Sequence, residues 1–328
     1  MKNYLPKVLV SSVIRSSQKG ESHGGIYLVD LETEKVSQVF DWNSPSISWE
    51  GRGGERGLRG ITFYKDQIYL ADTKELYCFN QDFKIIASFR NPYLKYTHEI
   101  CVDQDKLYLT STAFDSILVF DLFQKCFVEG FCFRRKKTNV WRRGVNKLAR
   151  IFRYSLPLNI NFQMYAYDLF GEDGPSEKDS IHLNNVTLSD EGICFSGTGL
   201  EQLIQIKNKQ FKAINTIPRG THNVQFFHQH LLYNDTPNDR ISLIEKDQAK
   251  HYVIKQYMEK ELTNFGIPKD YARQAFGRGL STWGDYIIGG SSPATISVYH
   301  VEKRDAIKVI NLSKDIRNAI HGLEIWPY

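Results

Sequence analysis

Ile320-His321-Gly322-Leu323-Glu324-Ile325-Trp326, close to the end of a 328-residue chain, has the β-branched and aromatic content of a short strand and contains no proline. It matches a strand that opens five earlier units, beginning near Arg59, His98, His182, His222 and Arg278. After each opening strand comes a short apolar strand ending in a small or polar residue. Ile68-Tyr69-Leu70-Ala71, Leu107-Tyr108-Leu109-Thr110, Ile193-Cys194-Phe195-Ser196, Leu231-Leu232-Tyr233-Asn234 and Tyr286-Ile287-Ile288-Gly289 are the five copies, and Val8-Leu9-Val10-Ser11 is a sixth with no strand before it. Two further strands follow every copy, such as Gly25 to Asp30 and Val36 to Trp42 in the first unit. Pairing the C-terminal segment beside Val8–Ser11 would complete that unit from both ends of the chain. The expected fold is therefore all-β, a six-bladed β-propeller of four-stranded blades closed by pairing of its N- and C-terminal strands. Residues 1–328 are read as one propeller domain, since no series of helices alternates with the strands.

The opening strands are separated by 39, 84, 40, 56 and 43 residues, which places one insertion at 133–180, between blades 3 and 4, and a smaller one at 258–276. The first begins with a basic run: nine Lys/Arg and no acid within 134–153, in a chain of net charge +5 whose remainder is net acidic. Trp141, Val145, Leu148 and Phe152 follow at spacings of 4, 3 and 4, the apolar stripe of a helix, so this insertion is expected to be mainly helical. A lid over the channel, a protein-docking surface or a contact with an anionic membrane surface are the roles open to it. Sequence-specific nucleic-acid binding is disfavoured by the acidic remainder.

Composition narrows the classes further. With 41% hydrophobic and 24% charged residues, and no run of about 20 apolar residues, the chain reads as a soluble globular protein, expected to be cytoplasmic. Cys78, Cys101, Cys126, Cys132 and Cys194 contain no Cys-x-x-Cys and are odd in number, which suggests reduced thiols rather than a disulfide framework or a Cys-based zinc site. Gly-x-Ser-x-Gly, His-Glu-x-x-His and a strand–Gly-x-Gly-x-x-Gly–helix unit do not occur.

Placed in register, the opening strands read Leu58-Arg59-Gly60-Ile61, Thr97-His98-Glu99-Ile100, Ile181-His182-Leu183-Asn184, Thr221-His222-Asn223-Val224, Gly277-Arg278-Gly279-Leu280 and Ile320-His321-Gly322-Leu323. One position reads Arg, His, His, His, Arg, His, and it takes four of the nine histidines in the chain. Pseudo-symmetry carries equivalent positions to one height around the axis, so the six side chains should converge at one mouth of the central channel. Neutral imidazoles ligate Fe, Mn, Zn or Ni, which makes His98, His182, His222 and His321 candidate metal ligands. Guanidinium forks suit a carboxylate, phosphate or sulfate, so Arg59 and Arg278 are expected to hold an anion. With Glu99 these two arginines are the candidate catalytic residues. Asn184 and Asn223 are candidate substrate-binding residues beside them, and so are Arg52 and Arg56 in the glycine-rich loop Trp49–Arg59.

Two segments carry a family likeness: Gly25-Ile26-Tyr27-Leu28-Val29-Asp30, a strand ending in Val-Asp, and Asn185-Val186-Thr187-Leu188-Ser189-Asp190-Glu191-Gly192, a blade start of the Asn-Gly…Asp-Gly kind. In these the chain resembles the six-bladed propellers of the gluconolactonase and senescence-marker class. That resemblance implies a divalent metal in the central channel, held in that class largely by Glu, Asn and Asp where this sequence has histidines. The functional expectation is a metal-dependent enzyme of lyase or hydrolase type acting on an anionic small molecule or sugar acid, the metal serving as Lewis acid or activating water. A four-His non-haem iron oxygenase is the second expectation, since the iron-dependent carotenoid-cleaving propellers look similar in ligand set although they have seven blades. The third, from a different class, is a non-catalytic propeller that binds a protein or polyanionic partner.

Overall fold

Backbone polar groups confine each strand to a sheet, and the repeat confines each sheet to a blade. The computed structural model describes residues 4–18, 20–43, 57–135, 162–207, 210–246, 248–266 and 272–328. Six antiparallel sheets follow one another around a ring. The innermost strands of blades 2 to 6 are β4 (Ile61–Tyr64), β8 (Ile100–Asp103), β13 (Leu183–Ser189), β17 (His222–Phe227) and β21 (Leu280–Trp283). In blade 1 that place is taken by the last strand, β25 (Asn318–Ile325), which pairs with β1 (Lys7–Ile14) through Val8↔Ile325, Leu9↔Glu324 and Val10↔Leu323. The fold is a six-bladed β-propeller. A bulge between Val10 and Ser12 shifts the pairing to Ser12↔Ile320.

Alternation along the strands directs apolar side chains out of both faces of each sheet, and these meet the next blade rather than water. One buried layer lies at each junction. Leu9, Ile26, Leu58, Ile61, Ile68 and Phe79 fill the space between blades 1 and 2, and Tyr69, Leu76, Leu109, Leu118 and Phe120 that between blades 2 and 3. The layer between blades 6 and 1 joins Val8, Val10 and Val29 to Ile288, Ile296, Ile320 and Leu323, so the C-terminal strand is held by packing as well as by its ladder.

Polar contacts stitch the inner ends of the blades. Ser11 donates its hydroxyl to the Arg59 carbonyl at 2.5 Å and accepts the Gly322 N–H at 2.9 Å. The Gly60 N–H reaches the His98 carbonyl at 3.0 Å, Thr112 donates to the Leu183 carbonyl, and Asn184 donates to the Thr221 carbonyl at 3.3 Å. Gly60 and Gly322 are glycines for a steric reason. A Cβ on Gly60 would stand 2.7 Å from the Ile100 nitrogen, and one on Gly322 would stand 2.5 Å from the Arg59 oxygen, both rigid backbone atoms.

The insertion at 133–180 differs from its expected helical form where it is described. Strand β11 (Cys126–Arg135) runs past its start, and β12 (Phe162–Tyr167) pairs back on it from Gly130↔Tyr167 to Arg135↔Phe162, giving blade 3 a fifth strand. The aromatic content of Phe162-Gln163-Met164-Tyr165-Ala166-Tyr167 suits an edge strand. Arg134, counted above with the basic run, is pinned by the carbonyls of Phe114 at 2.9 Å and Ser176 at 2.7 Å. The proposed helix, with Trp141, Val145, Leu148 and Phe152, lies outside the described residues. Within 258–276 the described part holds a 3-10 turn at Glu259–Glu261 and a bridge from Thr263 to Asp315. All five cysteines are free, as the odd count suggested. Among the described residues no helix is long and apolar enough to cross a membrane.

Leu323 is 2% exposed and sits where ring closure and the blade 6–1 layer coincide. Leu323→Ala should cost about 2–5 kcal/mol, the usual range for a leucine truncated in a rigid core. Urea unfolding measures it, and a loss below about 1 kcal/mol would show that the terminal strand contributes little to closure.

Candidate functional site

The ring position of the sequence lands within three residues of the start of each innermost strand, which places Arg59, His98, His182, His222, Arg278 and His321 around one end of the channel. Their neighbours repeat with the blades. His98 Nδ1 lies 2.9 Å from the Tyr96 carbonyl and 3.0 Å from Thr112 Oγ1. Nδ1 of His222 lies 3.0 Å from the Gly220 carbonyl and 3.0 Å from Thr236 Oγ1. In both cases the partners are the carbonyl two residues earlier and a threonine fourteen residues later. His182 departs from the pattern: its Nδ1 pairs with Asp179 Oδ2 at 2.7 Å, and its side chain is 38% exposed.

The arginines enter the ring differently. Arg59 is buried and donates from Nη1 to the Thr97 carbonyl at 3.2 Å, with His98 Nε2 at 3.5 Å. Arg278 approaches Nε2 of His321 with its Nη1 at 2.9 Å and stacks over Phe276, its Cζ 4.7 Å from the ring centroid. Arg273 and Arg15 face the same phenyl ring at 4.9 and 5.5 Å, and His222 meets it edge-on at 5.4 Å. Arg273 is neutralised by Asp239. No carboxylate pairs with Arg278 among the described residues, and its Nε is buried without a hydrogen bond. Burial and the charges of Arg15 and Arg59 disfavour its cationic form, with the Glu99 charge opposing them. Since a guanidinium keeps its proton in proteins, that cost is a standing demand for a counter-anion.

Two carboxyls share the channel. Glu99 accepts from Asn223 Nδ2 at 2.7 Å, a bond that crosses the channel from blade 5 to blade 3. Burial pushes its pKa up to about 8, with the charge of Glu324 adding to the rise while Asn223, Arg278 and Arg59 oppose it. Burial also pushes Glu324, on the closing strand, up to about 8. The imidazoles move the other way. Burial, joined by nearby positive groups, holds His98, His222 and His321 well below the ordinary imidazole value, so they are neutral at physiological pH.

The remaining expected residues serve the frame. Asn184 is 2% exposed and bonds across to blade 5, and Asn223 Oδ1 accepts the Gly279 N–H at 3.1 Å and Asn234 Nδ2 at 3.0 Å. Asn223 has φ +48°, a left-handed conformation that asparagine tolerates. Arg52 and Arg56 lie outside the described residues. Sequence reasoning passed over Glu324, Arg15 and the two threonines. Glu324 was within its reach, being three residues after the ring position of the closing strand, whereas Arg15 belongs to no repeated position. An open cleft of about 520 Å³ lined by His182, Thr198, Arg219, Gly220 and Pro237 adjoins the ring on the side of blades 4 and 5.

As arranged, the ring does not fit a resident metal. Among the described residues no three His, Cys, Asp or Glu side chains group as they would around an ion. Two of the four imidazoles, His98 and His321, present Nε2 to a guanidinium, whose positive charge opposes a dication at the same point.

No family model matches the chain, and no curated protein does. Solved structures match over nearly the whole length. One, described as the crystal structure of a nidogen/laminin complex, aligns with TM-score 0.57 and 9% identity over 97% of each chain. Another, a protein of unknown function from Bacteroides caccae, aligns with TM-score 0.54 and 8% identity over 97% of this chain and 98% of that one. They share its fold. At such identities the likeness extends no further, and the resemblance to the gluconolactonase class reaches only as far as the propeller arrangement.

The carboxyl pair gives a pH signature. Both groups have pKa values raised in the folded state, so the stability they contribute is complete below their ordinary 4.5 and is lost as pH rises through about 8. The depressed histidines act oppositely, their contribution being lost as pH falls through the ordinary 6.5 and steady above it. Between these limits the carboxyls dominate. Wild-type protein should lose stability from pH 6.5 to 8, and Glu324→Gln should lose about half as much, read as the urea midpoint against pH. Equal slopes in the two proteins would contradict the assignment.

Proposed function

We propose that the channel mouth is a binding site for a small organic anion, bearing a carboxylate, phosphate or sulfate, held by Arg278 and Arg59 without a metal. The supporting observation is the Arg278 guanidinium: half-buried against Phe276 and His321 with its Nε fully buried, close enough to Arg59 and Arg15 to feel their charge, and paired with no carboxylate among the described residues. An anion would supply the countercharge that no described carboxylate gives Arg278, and burial strengthens the attraction relative to water. Neutral imidazoles from His98, His222 and His321 line the same space without adding charge that would have to be matched. Glu99, its pKa pushed by burial up to about 8, is a group able to give a proton to a bound molecule, which is the role an acid-assisted lyase or hydrolase step requires.

Calorimetric titration with phosphate, sulfate and gluconate tests the reading. At least one should bind, and prior treatment with a chelator should leave its affinity unchanged. Arg278→Lys keeps the charge but loses the fork, and should weaken binding about tenfold. Failure of all three anions to bind, or binding that disappears with the chelator and returns with a divalent metal, would overturn it.

A further inference from the structure

The repeated histidine contacts fix a tautomer, and the tautomer constrains the ligand. A carbonyl oxygen only accepts, so the Nδ1 atoms that face the Tyr96 and Gly220 carbonyls carry the hydrogen in His98 and His222. The threonine hydroxyls reinforce this. Thr112 turns its own proton to the Leu183 carbonyl and Thr236 to the Gly277 carbonyl at 3.3 Å, leaving their lone pairs for the imidazole N–H groups. In the neutral ring Nε2 is then a bare acceptor. For His98 that acceptor faces Arg59 Nη1. The equivalent atom of His222 is buried, in a residue 6% exposed, and has no hydrogen-bond partner among the described residues.

A simple anion cannot satisfy that atom. Carboxylate, sulfate and fully ionised phosphate-ester oxygens present lone pairs to lone pairs. A buried acceptor left without a donor costs about 1–3 kcal/mol, so a ligand bringing a donor to Nε2 recovers energy that one without it forfeits. His222 and Arg278 share Phe276 as a common neighbour, 5.4 Å from the imidazole and 4.7 Å from the guanidinium, and the Arg278 charge is felt at His222, so the two groups are near neighbours on one side of the ring. Gly220, whose carbonyl orients His222, also lines the open cleft that adjoins the ring.

We propose that the anion bound at the channel mouth is a hydroxylated one, its acidic group on Arg278 and a hydroxyl donating to His222 Nε2, which makes His222 the residue that selects hydroxy acids over their deoxy counterparts. This rests on the anion-binding reading above. Thr236 and the Gly220 carbonyl are positioning groups, since they touch only Nδ1.

The test is a panel of matched pairs titrated calorimetrically: gluconate with hexanoate, glycerate with propionate, and glycerol 3-phosphate with propyl phosphate. In at least one pair the hydroxylated member should bind about tenfold more tightly. His222→Phe should abolish that preference while leaving the deoxy partner's affinity as it was. Equal binding within every pair overturns the hydroxyl proposal and leaves the anion site standing, whereas no binding by any compound removes both. Nitrogen-15 NMR of the unliganded wild-type protein supplies a check independent of the variant's folding. The His222 ring should show a protonated Nδ1 and a bare Nε2, and the opposite tautomer overturns the proposal. So does a stoichiometric transition metal that His222→Phe releases, since the lone pair would then be spent on the metal.

Discussion

The narrowest part of the molecule sets its terms. Six innermost strands begin around one small circle, where backbone N–H and C=O groups come too close together to be hydrated singly and must bond to the next blade. Ser11, Thr112, Asn184, Asn223 and Thr236 do this by bridging one blade to a main-chain atom of its neighbour. Gly60 and Gly322 allow the approach, because any side chain there would strike a backbone atom of the adjoining strand. The same bridging groups orient the histidines. Thr112 and Thr236 each hold an imidazole with one lone pair while their hydroxyl hydrogens close a junction between blades. Ring closure and site geometry are thus one set of hydrogen bonds.

That economy leaves the channel with a charge problem. Burial favours the neutral forms of Glu99, Glu324, His98, His222 and His321, and each can reach its neutral form by moving a proton. Arg278 has no such exit, since its guanidinium stays protonated. Burial thus favours neutral acids and imidazoles around a guanidinium that keeps its charge, with an aromatic ring and further arginines beside it. The proposed anion would offset that charge where a second cation would add to it. The His222 Nε2, without a hydrogen-bond partner among the described residues, would add a chemical requirement to one of charge alone.

Much of the architecture was legible in the residues. Strand-like segments recurring about every 40 residues, and a C-terminal segment that fits the gap in the first unit, specify both the blade number and the closure. The ring itself was legible because pseudo-symmetry converts an alignment position into a height in the channel, and Glu324 could have been found by the same route. The fifth strand of blade 3 was not. Phe162–Tyr167 gains its partner only when β11 extends to Arg135, and a helical stripe nearby offered a simpler periodicity.

What the sequence determined, then, was periodic: blade count, closure, and which six residues meet at the axis, since each follows from local pattern repeated under symmetry. What only the tertiary structure decided was the contacts those residues make. Ring position alone makes His98, His222 and His321 equivalent, and a metal site was the natural expectation from four of them. Contacts between blades break that equivalence, turning His321 toward Arg278 and His98 toward Arg59, and leaving His222 beside Phe276 with an Nε2 that no described residue partners. Such contacts join residues far apart in the chain, and the protonation states depend on burial summed over all of them, a quantity no single stretch of sequence contains.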